Sequence, residues 1–250
     1  MSDRDWATAY QILRVVGGSH AYGTATPESD VDVRAVALPP VSWLVGFAPA
    51  DNGSQTKDGR GAAEDLTVHA LAKFCRLALK CNPNVLEILW ADDAAVQHQT
   101  RAGQALRALA PHFMSRQAYA AFSGYAFGQF KRARSHNTDH GTRQAAVERF
   151  GYDPKNAMHL LRLARMGHEL VTTGQVNVRR PDAAELLAVR RGERPWHDVV
   201  AEAEALDRAS LAALAGSPLP EEPDREGVEA WLMATQAAWV AGDRSGLTPC

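Results

Sequence analysis

Three cysteines in 250 residues, Cys75, Cys81 and Cys250, are odd in number, and no CxxC or Cys/His zinc spacing occurs among them. That sets aside both a disulfide framework and a structural zinc site. Long apolar runs are missing as well. None approaches the ~20 residues that a bilayer-crossing helix needs, so no membrane partner is expected. The opening MSDRDWATAY lacks the apolar core of a signal peptide, and the expected location is the cytoplasm. The chain also lacks an excess of charge: 27 Lys and Arg stand against 29 Asp and Glu, a formal net of −2. Bulk charge therefore does not mark a polyanion binder. Internal repeats and low-complexity tracts are absent, and the apolar and charged fractions, 46% and 22%, suit an ordinary globular protein.

What charge there is lies unevenly. Residues 131–194 carry 13 basic and 7 acidic side chains, a net of +6, whereas residues 195–250 carry 3 and 10, a net of −7. A basic middle suits an anionic ligand, although solvated helix faces would look the same. Pattern predicts strands at residues 13–16, 31–38 and 65–68, and a Gly-rich polar loop over 51–62. It predicts helices at 69–80, 100–109 and 115–134, with a short apolar element at 85–90. The best-defined helix spans 153–173, with Asp153 as cap, Pro154 in the first turn and Gly174 as stop. A short strand is expected at 175–179, then helices at 182–191, 197–214 and 226–240. The expected fold class is α+β: a small mixed-sheet domain over 1–95, followed by a mainly helical domain over 96–250.

The informative segment is VVGGSHAYGTATPESDVDVR, residues 15–34. If Asp30-Val31-Asp32-Val33 is extended, Asp30 and Asp32 share one face and the valines the other. Two carboxylates side by side repel, and a divalent cation relieves the repulsion. Mg²⁺ favours carboxylate and phosphate oxygens, so the pair makes a metal seat; a solvated edge strand would carry the same pattern. Upstream, Gly17-Gly18-Ser19 follows a strand. Glycines let a backbone approach a phosphate closely and offer it successive N–H groups, yet GGS by itself is also an ordinary turn. The combination is more specific, because phosphoryl transfer needs a phosphate clamp beside a metal seat.

GGSHAYGTATPESDVDVR resembles the signature of the DNA polymerase β-like nucleotidyltransferase superfamily: Gly-Ser, a short spacer, then Asp-x-Asp between hydrophobic residues. The form GSxAYG…SDxDxR is similar to a narrower subgroup, the predicted nucleotidyltransferases associated with RNA ligases. KFCRLALKCNPNVLEILW, KNAMHLLRL and VRRPDAAELLAVRRGE fit that subgroup too, so the likeness runs over most of residues 13–194. The resemblance implies a polymerase β palm-like domain that uses Mg²⁺, or Mn²⁺, to move a nucleoside monophosphate from an NTP such as ATP to an acceptor hydroxyl. It implies Asp30, Asp32 and a third carboxylate, Asp65, as catalytic metal ligands, with Glu64 as the neighbouring alternative. Gly18, Ser19 and Ser29 would bind the nucleotide. The implied acceptor is an RNA end, as in repair or modification of tRNA; a protein side chain or a small molecule would serve the same chemistry. The alternative is a non-catalytic nucleotide- or RNA-binding module on the same fold, against which the intact carboxylates argue.

Further candidates lie outside the first motif. Lys155, His159 and Arg162, spaced four and three apart, share one helix face and could meet phosphates. A solvated stripe with ion pairs, such as Arg165 with Glu169, competes with that reading, and the resemblance tips it toward nucleotide binding. Arg34 should project on the Asp32 face. His136 and His140 sit in a polar loop. Phe122, Tyr125, Phe127 and Phe130, with Lys131 and Arg132, could offer stacking and charge to RNA, but aromatics recurring at helical spacing read as core.

Overall fold

The computed structural model describes residues 6–46, 56–60, 65–135 and 141–250. Glu64, His136 and His140 lie outside them. The chain divides into two compact units, Met1–Lys80 with Asn84–Met114 and Pro223–Cys250, and Cys81–Pro83 with Ser115–Glu222. This division differs from the single boundary expected at residue 95, because the last 28 residues join the first unit.

The first unit is built on strands β1 (Gln11–Val16), β2 (Asp32–Ala37), β3 (Thr56–Arg60), β4 (Asp65–Ala70) and β5 (Val96–Gln99). They form one sheet in the order β3-β4-β2-β1-β5. β2 and β4 run parallel and the other pairs antiparallel. Short helices α1 (Trp6–Ala9), α2 (Gly18–Tyr22) and α3 (Val41–Val45) flank the first two strands. Helices α4 (Leu71–Ala78), α5 (Pro83–Leu89) and α6 (Arg101–Ala108) follow β4 and β5.

Alternation along β2 and β4 decides what each sheet face carries. Ala35, Ala37, Val68 and Ala70 join Trp6 and Ala7 in one buried cluster, with Tyr10, Trp43 and Leu66 packed against it. The opposite face therefore receives Asp32, Arg34 and Val36 from β2, and Asp65, Thr67 and His69 from β4. Leu71, Phe74, Cys75 and Ala78 are the buried stripe of α4, in line with the expected helical spacing. Burial pushes the Cys75 thiol up to about 12, so it packs as an inert apolar group.

Two strands escape the sequence pattern. β3 lies within the stretch expected to be loop, and its ladder to β4 makes a strand of a Gly-containing polar segment. β5 reads VQHQ, too polar and short to show a period, and pairs with β1. The C-terminal helix α12 (Arg225–Val240) returns to this unit. There the Trp239 indole N–H donates to the Pro39 carbonyl at 2.8 Å, and its ring meets Tyr10 edge-on at 4.7 Å. Cys250 N–H donates to Gln99 O, which adds the chain end to the β5 edge.

The second unit is helical: α7 (Gln117–Arg134), α8 (Gly141–Phe150), α9 (Pro154–Thr173), α10 (Ala183–Arg190) and α11 (Trp196–Ala213). α12 (Arg225–Val240) completes the chain. α9 is the axis, packed by α7, α10 and α11. Its ends follow the sequence expectation: Asp153 accepts from Lys155 N and Asn156 N at 2.8 and 3.1 Å, and Gly174 closes it in the left-handed conformation. Val176 and Val178 are buried, as an alternating strand would have them, but residues 175–179 form no strand ladder. Arg165 pairs with Asp182, Glu185 and Glu202 rather than with Glu169, which belongs to Arg180. Among the described residues, no helix is long and apolar enough to cross a membrane. The fold class is α+β.

Candidate active site

The turn after β1 is where the first unit's chemistry concentrates. Gly17 N–H donates to Asp32 O at 2.8 Å, which closes the end of the β1–β2 ladder. The chain then turns at Gly18, with φ at +59°, and enters the single helical turn of α2. Ser19 O accepts from Thr24 N at 2.9 Å, and Gly23 ends the turn in the left-handed region. Gly18 is required twice over. Its φ disfavours any side chain, and a Cβ built on it would overlap the Asp32 carboxylate. The Gly18 backbone thus sits directly against the Asp32 carboxylate.

Asp32 opens β2, and its register partner on the parallel strand β4 is Asp65. Neighbouring strands lie about 4.8 Å apart and paired residues share a face, so the sheet sets these two carboxylates side by side. The ladder continues one step further, with Asp65 N–H donating to Val31 O at 2.9 Å. Asp30 is placed differently from the sequence expectation. β2 starts at Asp32, so strand alternation does not extend to Asp30, which is exposed ahead of the strand. The residue that shares the Asp32 face by alternation is Arg34. It lies along Gly17, and its Nη1 donates to Asn84 O at 2.9 Å.

The turn is braced from behind. The Tyr22 hydroxyl donates to Glu87 Oε2 at 2.5 Å, and both side chains are buried. Glu87 therefore does more than pack: with Asn84 it ties α5 to both ends of the glycine turn. This brace was not readable from the sequence, where Tyr22 and Glu87 stand 65 residues apart. His20 Nε2, in the same turn, is shut off from solvent and makes no hydrogen bond among the described residues. Ser29 is engaged locally, its hydroxyl accepting from Thr26 N at 2.9 Å.

These residues fit a hard divalent cation in a particular sense. Among the described residues, no three His, Cys, Asp or Glu side chains form a group that could hold a metal ion. Mg²⁺ usually takes only one or two carboxylates and completes its shell with water and substrate phosphates. Asp32 and Asp65, oxygen donors beside a backbone cradle at Gly18, match that requirement.

The cationic residues expected on the helical side lie in the second unit. Lys155, His159 and Arg162 fall on one face of α9, graded from exposed Lys155 to Arg162, which is 3% exposed. Arg162 Nη1 reaches Met166 Sδ at 3.2 Å. Two residues from neighbouring helices act on the same face: Arg132 from α7 and Arg190 from α10 both bear electrostatically on His159. Of the four aromatic candidates, Phe122 is core and Tyr125 accepts from Asn82 Nδ2 at 2.7 Å, whereas Phe127 is 55% exposed.

A curated relative, an uncharacterised 38.9 kDa protein in the nrdC-mobD intergenic region of Enterobacteria phage T4, is 32% identical over 84 residues. That stretch is 31% of this chain and 25% of the phage protein. A nucleotidyltransferase-like protein from Exiguobacterium sibiricum 255-15 aligns over 95% of this chain and 74% of its own, at 12% identity. Its TM-score of 0.28 is too low to bear on the fold. The decisive match is to a family model, the RNA repair pathway DNA polymerase beta family RlaP, over residues 6–234. That span contains the Gly18 turn, the Asp32–Asp65 pair and the α9 face, and the chain belongs to this family of polymerase β-type nucleotidyltransferases.

Proposed function

We propose that the protein transfers a nucleoside monophosphate from an NTP to the hydroxyl of an RNA end and releases pyrophosphate. The observation that carries this reading is the Gly18 backbone seated against the Asp32 carboxylate, with Asp65 as the register partner of Asp32. In the reaction the acceptor oxygen forms a bond to the α-phosphorus, and the bond between that phosphorus and the α–β bridging oxygen breaks. The electron pair leaves with pyrophosphate.

The roles follow from chemistry and placement. Backbone N–H groups at Gly18 and Ser19 receive phosphate oxygens, and the missing side chain at position 18 leaves the Asp32 carboxylate its place beside them. Asp32 and Asp65 would hold Mg²⁺, with exposed Asp30 free to join on substrate binding. Bound there, the ion would neutralise the charge that develops on the transferring phosphoryl group. Asp65 accepts the acceptor hydroxyl's proton. The α5 brace on Tyr22 and Arg34 keeps the turn in one conformation, so little ordering remains for the moment of binding. Lys155, His159 and Arg162 form a separate phosphate-binding face on α9. RNA is favoured as acceptor by the repair pathway in the family's description.

The test incubates the protein with each α-labelled NTP, Mg²⁺ and tRNA. Label should pass to RNA, and Asp32→Asn and Asp65→Asn should each abolish the transfer while folding normally. Label on a protein or a small molecule would replace the acceptor and keep the chemistry. NTP affinity by calorimetry, without pyrophosphate release at any acceptor, would assign a binding module instead.

A further inference from the structure

α7 and α11 both pack on α9, and together the three helices enclose a cavity of about 400 Å³ within the second unit. Ala126 of α7 and Ala203 of α11 face it and are too short to fill it. Its floor is apolar, with Phe122 and Leu163 each 2% exposed. A polar bridge crosses it: the Ser123 hydroxyl donates to Oδ1 of exposed Asp207 at 2.6 Å, and the Tyr119 hydroxyl joins the same pair.

The aromatic wall of the cavity continues into a stacked row. Phe127 and Phe130 line the cavity, with centroids 6.1 Å apart and planes 12° from parallel. Phe130 stacks on Trp196 at 5.7 Å, and Trp196 stacks on buried Tyr152 at 5.2 Å. The inner end of the row is thus fixed, and its outer ring, Phe127, is 55% exposed. Two exposed cations lie over the outer rings: Lys131 Nζ is 4.5 Å from the Phe127 centroid, and Arg134 Cζ is 5.4 Å from that of Phe130.

We propose that this cavity takes one unstacked guanine of a single-stranded RNA, with Phe127 and Phe130 as stacking surface and Asp207 as acceptor for the base edge. The proposal rests on the reading of RNA as acceptor, and names the part of that RNA which the second unit grips. A volume of about 400 Å³ is that of a small-ligand site. A flat ring entering beside Phe127 adds one member to a row that is already rigid, and base–aromatic stacking is how single strands are held. An aliphatic ligand would desolvate Asp207 and give it nothing to accept. An amine would satisfy Asp207, but Lys131 and Arg134 already sit over the two rings and would repel it. The same two cations suit the phosphates that flank a base. Asp207 also selects among bases, because an ionised carboxylate only accepts hydrogen bonds. Ser123 and Tyr119 engage it, but a carboxylate has about four acceptor sites. Guanine is the base whose Watson–Crick edge offers two adjacent donors, the N1–H and the 2-amino group, to such an acceptor.

Fluorescence anisotropy of the full-length protein with labelled RNA, in EDTA and without NTP, reads binding apart from transfer. The RNA UUGUU should bind at least about tenfold more tightly than UUUUU or UUAUU. Inosine in place of the guanine, which lacks the 2-amino group, should bind with intermediate affinity. Asp207→Asn still offers Ser123 an acceptor, and should make the guanine and inosine RNAs bind equally. Phe127→Ala, at an exposed position, should weaken binding of every RNA by roughly tenfold through lost stacking. Unchanged urea midpoints would show that both variants fold. Equal binding of UUGUU and UUUUU by the wild type, an unaltered guanine-over-inosine preference in Asp207→Asn, or undiminished binding by Phe127→Ala would each overturn the proposal. So would GMP binding as tightly as UUGUU, which would assign the cavity to a free nucleotide. Guanine-selective binding in a protein that transfers no label would support this site and count against the transferase reading alone. Label transfer to RNA with no base preference in binding would do the reverse.

Discussion

Adjacent glycines in the β1–α2 turn make opposite demands, and replacing each by alanine separates them. At Gly17 the backbone is extended, with φ at −115° and ψ at −160°, a conformation open to any residue. The nearest atoms a Cβ there would meet belong to the Arg34 side chain, at 3.0 Å from Nε and 3.1 Å from Cδ, and that long side chain can shift slightly. Gly17 is buried, so Gly17→Ala should lower stability by about 1 kcal/mol, the ordinary cost of a point change that one neighbour must accommodate. At Gly18 the φ of +59° alone makes alanine less favourable by about 1–2 kcal/mol. The new methyl also overlaps the Asp32 carboxylate, and swinging Asp32 off its rotamer adds about 0.5–1.5 kcal/mol. The sum is about 1.5–3.5 kcal/mol, readable as a shift of the urea midpoint at unchanged slope. The displaced group is the carboxylate at the centre of the proposed site. Transfer of α-label should therefore fall at least about tenfold in Gly18→Ala even where the protein is fully folded, and stay within a few-fold of wild type in Gly17→Ala. Equal midpoints for the two variants would refute the conformational argument. Equal activities, with Gly18→Ala measurably less stable, would refute the placement of the reaction at Asp32.

Three further predictions concern the framework. Arg180 has a side chain 1% exposed between Glu169 and Asp182, which are 27% and 15% exposed. Arg180→Met should lower unfolding free energy by about 2–4 kcal/mol, below the full loss for a buried pair because the acids are partly hydrated. Arg208→Met, whose partner Glu204 stands 3.8 Å away with both exposed, should change it by less than about 0.5 kcal/mol. Burial works against the carboxylates of Asp182 and Glu202, but hydrogen bonds from Arg180 and Arg165, and from Arg194 and Arg165, outweigh it and hold both below their ordinary values. Their stabilisation is complete above the unfolded-state pKa of about 4 and is lost as pH falls through the depressed folded values. Asp182→Asn should accordingly flatten the acid limb of a stability–pH profile and leave its neutral shape alone. Tyr22→Phe removes the hydroxyl that Glu87 accepts. It should lower stability by about 1–3 kcal/mol and raise the KM for NTP more than it lowers kcat, since the turn it steadies binds rather than reacts.

Local rules were enough where local forces decide. α9 could be placed from Asp153, Pro154 and Gly174 because caps and stops act within a turn of the chain. Val33 could be assigned inward, and Arg34 to the face of Asp32, because strand alternation is a property of the strand itself. The Gly18–Asp32 association was legible as a spacing, since a strand, a tight turn and an antiparallel return keep those residues close along the chain.

The tertiary structure decided whatever depends on partners distant in sequence. Asp65 faces Asp32 because β4 joins β2 in a parallel ladder, a register fixed by hydrogen bonds and by burial of Leu66, Val68 and Ala70. Asp30 lost its expected strand position because β2 starts two residues after it, at Asp32. β5 exists because β1 offers it an edge, while residues 175–179, which do alternate, pair with no strand among the described residues. Arg132 and Arg190 reach His159 only through helix packing, and Glu87 reaches Tyr22 only through the seating of α5. By itself the sequence determined the turn, the carboxylates and the capped helix, through interactions a few residues long. The pairing of Asp32 with Asp65 and the gathering of cations on α9 were left to packing, because a single sequence carries no record of which distant residues share a face.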